Sequence, residues 1–307
     1  MKPVHFLFTF LILAFAALAF VYVGSPAPVH SDRQPQMQPK PAMAAKSTSA
    51  RPSPSHDKSI SPVTEILKLA LDRSGRYRQR VDALVELPNG LNVEQIAQLR
   101  ELMNRGKESP TVRNEALEAI SRQNLRPDDL SKDLIRAYHN PKEDPIWVDF
   151  ALQHMFTVYS YSKDKKAIRQ TLLSVAASPR KNKHNFGGTA LLSLWQLGKT
   201  EPDLARQAKA IAAKILLSKT IDQERAITAM QIARESGSTD MLDCARKLAV
   251  DKSALVRLRL SAIGTLGEMG KAEDALILQN LVKDNESRVV RVARYNLKRL
   301  RKRASKG

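Results

Sequence analysis

The chain has 307 residues, of which 43% are hydrophobic and only 5% aromatic, and its formal net charge at pH 7 is +19. A composition rich in Ala, Leu, Lys and Arg is typical of long helices packed through small and medium side chains, so it favours an all-α fold. Cys244 is the single cysteine, which excludes an intramolecular disulfide, and no Cys/His spacing resembles a zinc site.

The positive charge is concentrated at the C-terminus rather than spread along the chain. Residues 286–307 contain 9 Lys and Arg against 1 acidic residue, whereas residues 61–285 contain 35 against 28. The body is therefore only mildly basic, and the net charge by itself does not indicate nucleic-acid binding.

The first segment of the chain has the pattern of a targeting sequence. Phe6 to Val23 is a run of 18 mostly apolar residues, which predicts that residues 1–24 are a signal peptide or an N-terminal membrane anchor. A small-x-small triplet at residues 17–19 suits cleavage, whereas the full run just reaches bilayer-spanning length, so both alternatives stay open. In either case we expect an exported protein of the periplasm or cell envelope, tethered to the inner membrane if the segment is retained.

The next segment is not expected to fold. Gly24 to Ile60 contains seven prolines among Ser, Gln, Ala and Lys residues. Too few apolar side chains are present to offset the entropy lost on ordering, so residues 25–60 are predicted to be a disordered linker.

From Ser61 onward one short phrase recurs, in which a leading position, often polar or basic as in Arg80, is followed three residues later by a central alanine. An aliphatic residue or another alanine follows four residues after that. The spacing of the central alanines, between 31 and 39 residues, predicts about seven stacked helix-turn-helix repeats over residues 61–303, with a basic tail at 304–307. A small residue is expected where two helices cross closely. The central alanines are Ala83, Ala116, Ala151, Ala190, Ala229, Ala262 and Ala293.

Local signals agree with helices at this spacing. Ser61-Pro62 and Ser109-Pro110 each place a hydroxyl before a first-turn proline, which predicts capped helix starts. Asn92 followed by Gln95 resembles a capping box.

Two phrases, from Arg259 to Gly270 and from Asp284 to Ala293, resemble HEAT repeats, in particular the short kind first noted in phycobilin lyases. The resemblance implies an α-solenoid over residues 61–303 and implies no activity. Tetratricopeptide repeats have a similar period, but their Trp, Gly, Tyr and terminal Pro positions do not recur here.

No catalytic set emerges from the residues. HEAT-like relatives include hydroxylases that bind iron through His-Glu pairs, and none of the six histidines here precedes a glutamate. The sequence therefore predicts no enzyme and no cofactor, but a non-catalytic protein-binding scaffold or adaptor that presents a curved surface to a protein partner. Nucleic acid is not expected as a partner, because export would remove the chain from it.

Candidate partner-binding residues fall into two groups. Seven of the ten aromatic residues beyond the leader lie between Trp147 and Trp195, and they are either a recognition pocket or large side chains filling the longer repeats. Basic residues on the second helices of the repeats supply further candidates. The full set is Trp147, Tyr159, Trp195, Arg136, Lys166, Arg169, Arg206, Lys209 and Arg246.

The final helix is strongly basic and has two interpretations. It is either a terminal cap made soluble by its charge, or a surface that docks to anionic lipid, an anionic envelope polymer or an acidic protein. Its candidate residues are Arg288, Arg291, Arg294, Lys298, Arg301 and Lys302.

Overall fold

The computed structural model describes residues 61–178 and 186–305, and within these ranges it contains fourteen α-helices and no strand. The all-α prediction is confirmed. The predicted leader and linker lie outside the described residues. Among the helices that are described, none is long and apolar enough to cross a bilayer.

The helices are numbered here in chain order. They are α1 Pro62–Leu71, α2 Tyr77–Glu86, α3 Val93–Met103, α4 Pro110–Ser121, α5 Leu130–His139, α6 Pro145–Tyr159, α7 Lys165–Ala177, α8 Phe186–Leu197, α9 Pro202–Leu216, α10 Gln223–Glu235, α11 Leu242–Val250, α12 Val256–Met269, α13 Asp274–Leu281 and α14 Ser287–Ala304. A 3-10 turn, Thr239–Met241, leads into α11.

The helices form two layers that alternate along the chain. The even-numbered helices carry the central alanines and are called first helices, and the odd-numbered helices are called second helices. Each first helix packs beside the next first helix. Each odd-numbered helix packs mainly against the even-numbered helix that follows it. The seven helix pairs from α1/α2 to α13/α14 therefore stack as predicted, with a core that continues from one pair to the next.

All seven central alanines are buried, as their recurrence predicts. The same close approach explains Gly267 on α12, where an added Cβ would lie only 2.1 Å from Oδ1 of Asn296 on α14. Small residues at these points let neighbouring first helices approach closely enough for their other side chains to interlock.

The predicted helix starts are correct, but not all of the predicted caps form. α1 and α4 begin at Pro62 and Pro110, yet neither preceding serine makes a side-chain cap hydrogen bond. The proline, whose fixed φ suits the first turn, is therefore the signal that marks these starts. Asn92 and Gln95 do form the reciprocal capping box at α3.

Buried arginines connect successive repeats. Arg113 on α4 donates from Nε to the carbonyl of Met103 at 2.6 Å, and its Nη1 and Nη2 donate to the two carboxylate oxygens of Glu143 at 2.6 and 3.3 Å. Arg80 repeats the arrangement with the Ala70 carbonyl and Glu108, and Arg259 repeats it with the Ala249 carbonyl and Asp284. We call these three arginines and their acidic partners the arginine ladder.

Each arginine of the ladder serves two elements at once. Its Nε donates to a carbonyl near the C-terminal end of the preceding second helix. A carbonyl at such a position has no hydrogen-bond donor within its own helix. Its guanidinium then holds the acid that lies just before the next first helix. In the last of these pairs the Arg259 guanidinium lowers the pKa of Asp284. The ladder therefore fixes the register of one repeat against the next.

We expect Glu143→Ala to lower the free energy of unfolding by roughly 3 kcal/mol, because it leaves a buried guanidinium without its counter-ion. The side chains of Arg113 and Glu143 are only 1% and 8% exposed. Urea unfolding followed by circular dichroism measures the effect.

Asp203→Ala is the matched control, since it removes the ion pair with Arg206, whose two side chains are 70% and 73% exposed. That change should cost less than about 1 kcal/mol. Equal losses in the two variants would show that the ladder does not hold the repeats in register.

Candidate functional site

The predicted aromatic residues do not form a shared pocket. Trp147 is 1% exposed and lies in the core, with the Arg113 guanidinium 4.3 Å from its ring centroid. Its prediction as a partner-contacting residue is therefore wrong, because its side chain fills the space beside the arginine ladder. Trp195 is half-buried, and its Nε1 donates to Oε2 of Glu235 at 2.6 Å.

Tyr159 and Arg169 are brought together, but by an internal contact. Tyr159 is buried, and its hydroxyl donates to Oε1 of Glu201 at 2.5 Å, while Nε of Arg169 donates to that hydroxyl oxygen at 2.5 Å. Arg169 also pairs with Oε2 of Glu201. These three residues join α6, α7 and the turn before α9, which accounts for their polar groups without a partner molecule.

The remaining basic candidates on second helices are dispersed. Arg136, Lys166, Arg206 and Lys209 are exposed on three different helices, α5, α7 and α9. Arg246 on α11 is half-buried, and its Nε donates to Oδ1 of Asp274 at 2.7 Å. These positions therefore do not converge on one site.

The C-terminal helix α14 separates an apolar side from a basic side. Its buried stripe, which packs on α12 and α13, comprises Val289, Ala293, Asn296, Leu297 and Leu300. All six predicted basic residues are exposed on the remaining surface.

Some cations of α14 have partners within the protein, and others have none among the described residues. Arg303 donates to the carbonyl of Gly267 at 2.9 Å and also reaches the carbonyls of Glu268 and Gly270, so it caps the end of α12. Arg299 pairs with Glu268 at 3.2 Å. No ion pair within the described residues involves Arg291, Arg294, Lys298 or Lys302, which we call the basic stripe.

Successive members of the basic stripe are three or four residues apart, so they lie on one side of α14. The stripe extends over roughly 16 Å at 1.5 Å per residue. Tyr295, which is 67% exposed, lies beside it. The sequence contains no acidic residue from 287 to 307, so the last helix supplies no negative charge to neutralise this side.

Sequence reasoning missed Arg225, the buried arginine of α10. It lines a cleft of about 920 Å³ together with Lys214 of α9, Ile221, Asp222 and Leu255. A signal was present, because the repeat phrase in this helix begins at Ala226 and Arg225 stands one position before it.

His154 is a buried titratable residue of α6. Its Nε2 lies 3.0 Å from Oδ1 of Asn114 and 3.6 Å from Oε1 of Glu118, and its Nδ1 has no hydrogen-bond partner in the described part of the chain. Burial lowers the pKa of His154 to about 4, so the imidazole is neutral at pH 7. Across the described residues, no group of three or more His, Cys, Asp or Glu side chains could hold a metal ion.

Comparison with known proteins gives structural likeness only. No protein-family model matches the chain, and no curated protein matches it. Human deoxyhypusine hydroxylase, solved in complex with glycerol, is similar with a TM-score of 0.34 and 12% identity, over 78% of this chain and 96% of that one. An engineered protein is similar with a TM-score of 0.38 and 14% identity, over 79% and 98% of the two chains.

These findings correct the functional prediction from the sequence. A non-catalytic protein-binding scaffold was predicted, and that prediction is wrong in excluding an enzyme, since human deoxyhypusine hydroxylase, to which the chain is similar, is an enzyme. The failure to recognise a catalytic set in the sequence does not establish that the chain lacks one. At 12% identity the likeness concerns the fold alone and assigns no activity to this chain.

We expect His154 to reduce stability as the pH falls from about 6.5 towards 4. The unfolded chain binds a proton at this residue below about 6.5, whereas the folded protein resists protonation until about 4. At pH 5 the loss should be about 2 kcal/mol relative to pH 7. Burial raises the pKa of the neighbouring Glu118, which acts in the opposite direction.

Urea unfolding at pH 7 and pH 5 of the wild type and His154→Gln isolates this contribution. The variant should lose clearly less stability between the two pH values. An equal loss in both proteins would contradict the assignment of a buried, neutral histidine.

Proposed function

We propose that this protein docks on an anionic lipid bilayer through the basic stripe of α14. The observation that carries the proposal is the set of four exposed cations, Arg291, Arg294, Lys298 and Lys302, on one side of the last helix. Within the described residues they have no acidic partner, while neighbouring cations such as Arg299 and Arg303 are used to hold α12.

A flat anionic surface suits this geometry better than a small ligand. The four cations are arranged in a row rather than around a cavity, so several headgroups could be contacted at once. Each basic residue near an anionic bilayer contributes about 1 kcal/mol, and the contribution falls with salt. Tyr295 beside the stripe offers an amphipathic ring of the kind enriched at membrane interfaces.

Sequence features outside the described residues support a location near a membrane. We propose that residues 1–24 export the chain and, if they are retained, anchor it, and that residues 25–60 act as a tether. We also assign the repeats to the short HEAT kind, on the phrases from Arg259 to Gly270 and from Asp284 to Ala293. Docking of this kind is compatible with an enzyme as well as with a binding protein.

Replacing the four cations of the basic stripe by Gln should weaken binding of the full chain to phosphatidylglycerol-containing vesicles by about three orders of magnitude. Cosedimentation with vesicles at low salt measures the affinity. The residues are exposed, so the melting temperature should change little. Because the N-terminal segment is the same in both proteins, the difference reports the stripe alone.

A quadruple variant with Arg136, Lys166, Arg206 and Lys209 replaced by Gln is the control, because it removes the same charge from the exposed surface of other helices. It should bind nearly as well as the wild type. The proposal fails if the two quadruple variants bind equally, if pure phosphatidylcholine vesicles bind as tightly, or if only a soluble polyanion such as polyphosphate binds.

A further inference from the structure

The position of Arg225 differs from that of the arginines in the ladder. Glu108 and Glu143 each stand immediately before the N-cap of a first helix, at α4 and α6. The residue in the same place before α10 is Ile221, which precedes the N-cap Asp222. The repeat that ends at α10 therefore lacks the acid that the ladder uses.

Arg225 nevertheless occupies the place of a ladder arginine. Its Nη2 donates to the carbonyl of Ala176, near the end of α7, where an arginine on α8 would be expected to donate. On α8 the corresponding residue is Gly187, and an added Cβ there would lie 2.8 Å from Nε of Arg225. The absence of a side chain at Gly187 lets Arg225 reach back from the next repeat.

The guanidinium of Arg225 is buried without a full set of partners. The residue is only 7% exposed, and its Nε has no hydrogen-bond partner among the described residues. The segment from residue 178 to 185 contains no acidic residue, so it cannot supply the missing carboxylate. Burial lowers the pKa of the Arg225 guanidinium, which nevertheless stays charged at pH 7.

The cleft beside Arg225 provides room for a ligand. Its walls carry apolar side chains of Ile211, Ile215, Ile221 and Leu255, and its volume of about 920 Å³ is far larger than one carboxylate requires. Asp222 also lines it, with Oδ2 buried and unpartnered among the described residues. The cleft thus combines the buried guanidinium of Arg225 with an apolar wall, and Lys214 and Glu224 add one charge of each sign to the rest of its lining.

We propose that this cleft binds a ligand whose carboxylate pairs with Arg225, in place of the absent ladder acid, and whose apolar portion packs on the isoleucine walls. A carboxylate that accepts from a largely buried guanidinium makes one of the stronger polar contacts in proteins. Two sources supply such a carboxylate together with an apolar portion, a free fatty acid and the C-terminal residue of a peptide.

Two matched pairs of probes test the proposal on the full chain by isothermal titration calorimetry at pH 7. Octanoate is compared with octanamide, and N-acetylleucine with N-acetylleucinamide. At least one acid should bind at least about tenfold more tightly than its amide, because the amide has nearly the same shape but no negative charge. The pair that responds identifies the fatty-acid or the peptide source.

Two variants and one control locate the binding. Arg225→Gln should weaken binding of the acid about tenfold or more, whereas Arg206→Gln on exposed α9 surface should leave it unchanged. Ile221→Glu should supply the ladder acid internally, so it should raise the melting temperature and abolish binding, which keeps the test decisive if Arg225→Gln fails to fold. The proposal is overturned if neither acid binds in preference to its amide, or if Ile221→Glu binds the acid as the wild type does.

Discussion

Close packing between neighbouring first helices is the constraint on which this structure depends. One helix pair cannot bury its own apolar side, so each pair is stable only against the next. The approach is close enough to require alanine at seven crossing points and glycine at position 267, where even a Cβ would meet Asn296. The repeat period in the sequence is therefore a direct record of contacts between repeats.

The arginine ladder fixes the register of this packing. Apolar contacts between alanines and leucines are compatible with small shifts in register, whereas a guanidinium fixed to a carbonyl and a carboxylate is not. Burying such a pair contributes little net stability compared with an apolar pair, but removing one partner is costly. The ladder therefore specifies how successive repeats align more than how tightly they hold together.

The periodicity predicted the helical repeats and the exposed basic side of α14, because both depend on residues close together in the sequence. The partners of the arginines could not be read in the same way, since they lie between 25 and 30 residues away. Trp147 illustrates the limit, because an aromatic residue that binds a partner and one that covers Arg113 have the same sequence signature. Only the burial of the side chain in the folded protein distinguishes these two roles.

The departures from the repeat are concentrated in one part of the chain. The two longest spacings, of 39 residues each, lie on either side of Ala190, and there the leading arginine is replaced by Val148, Gly187 and Ala226. In the three regular repeats of the ladder each arginine pairs with a carboxylate, whereas here Nε of Arg225 and an oxygen of Asp222 are buried without partners among the described residues. Because natural sequences tolerate local inconsistencies mainly where function requires them, the irregular middle repeats mark the place where a ligand site is expected.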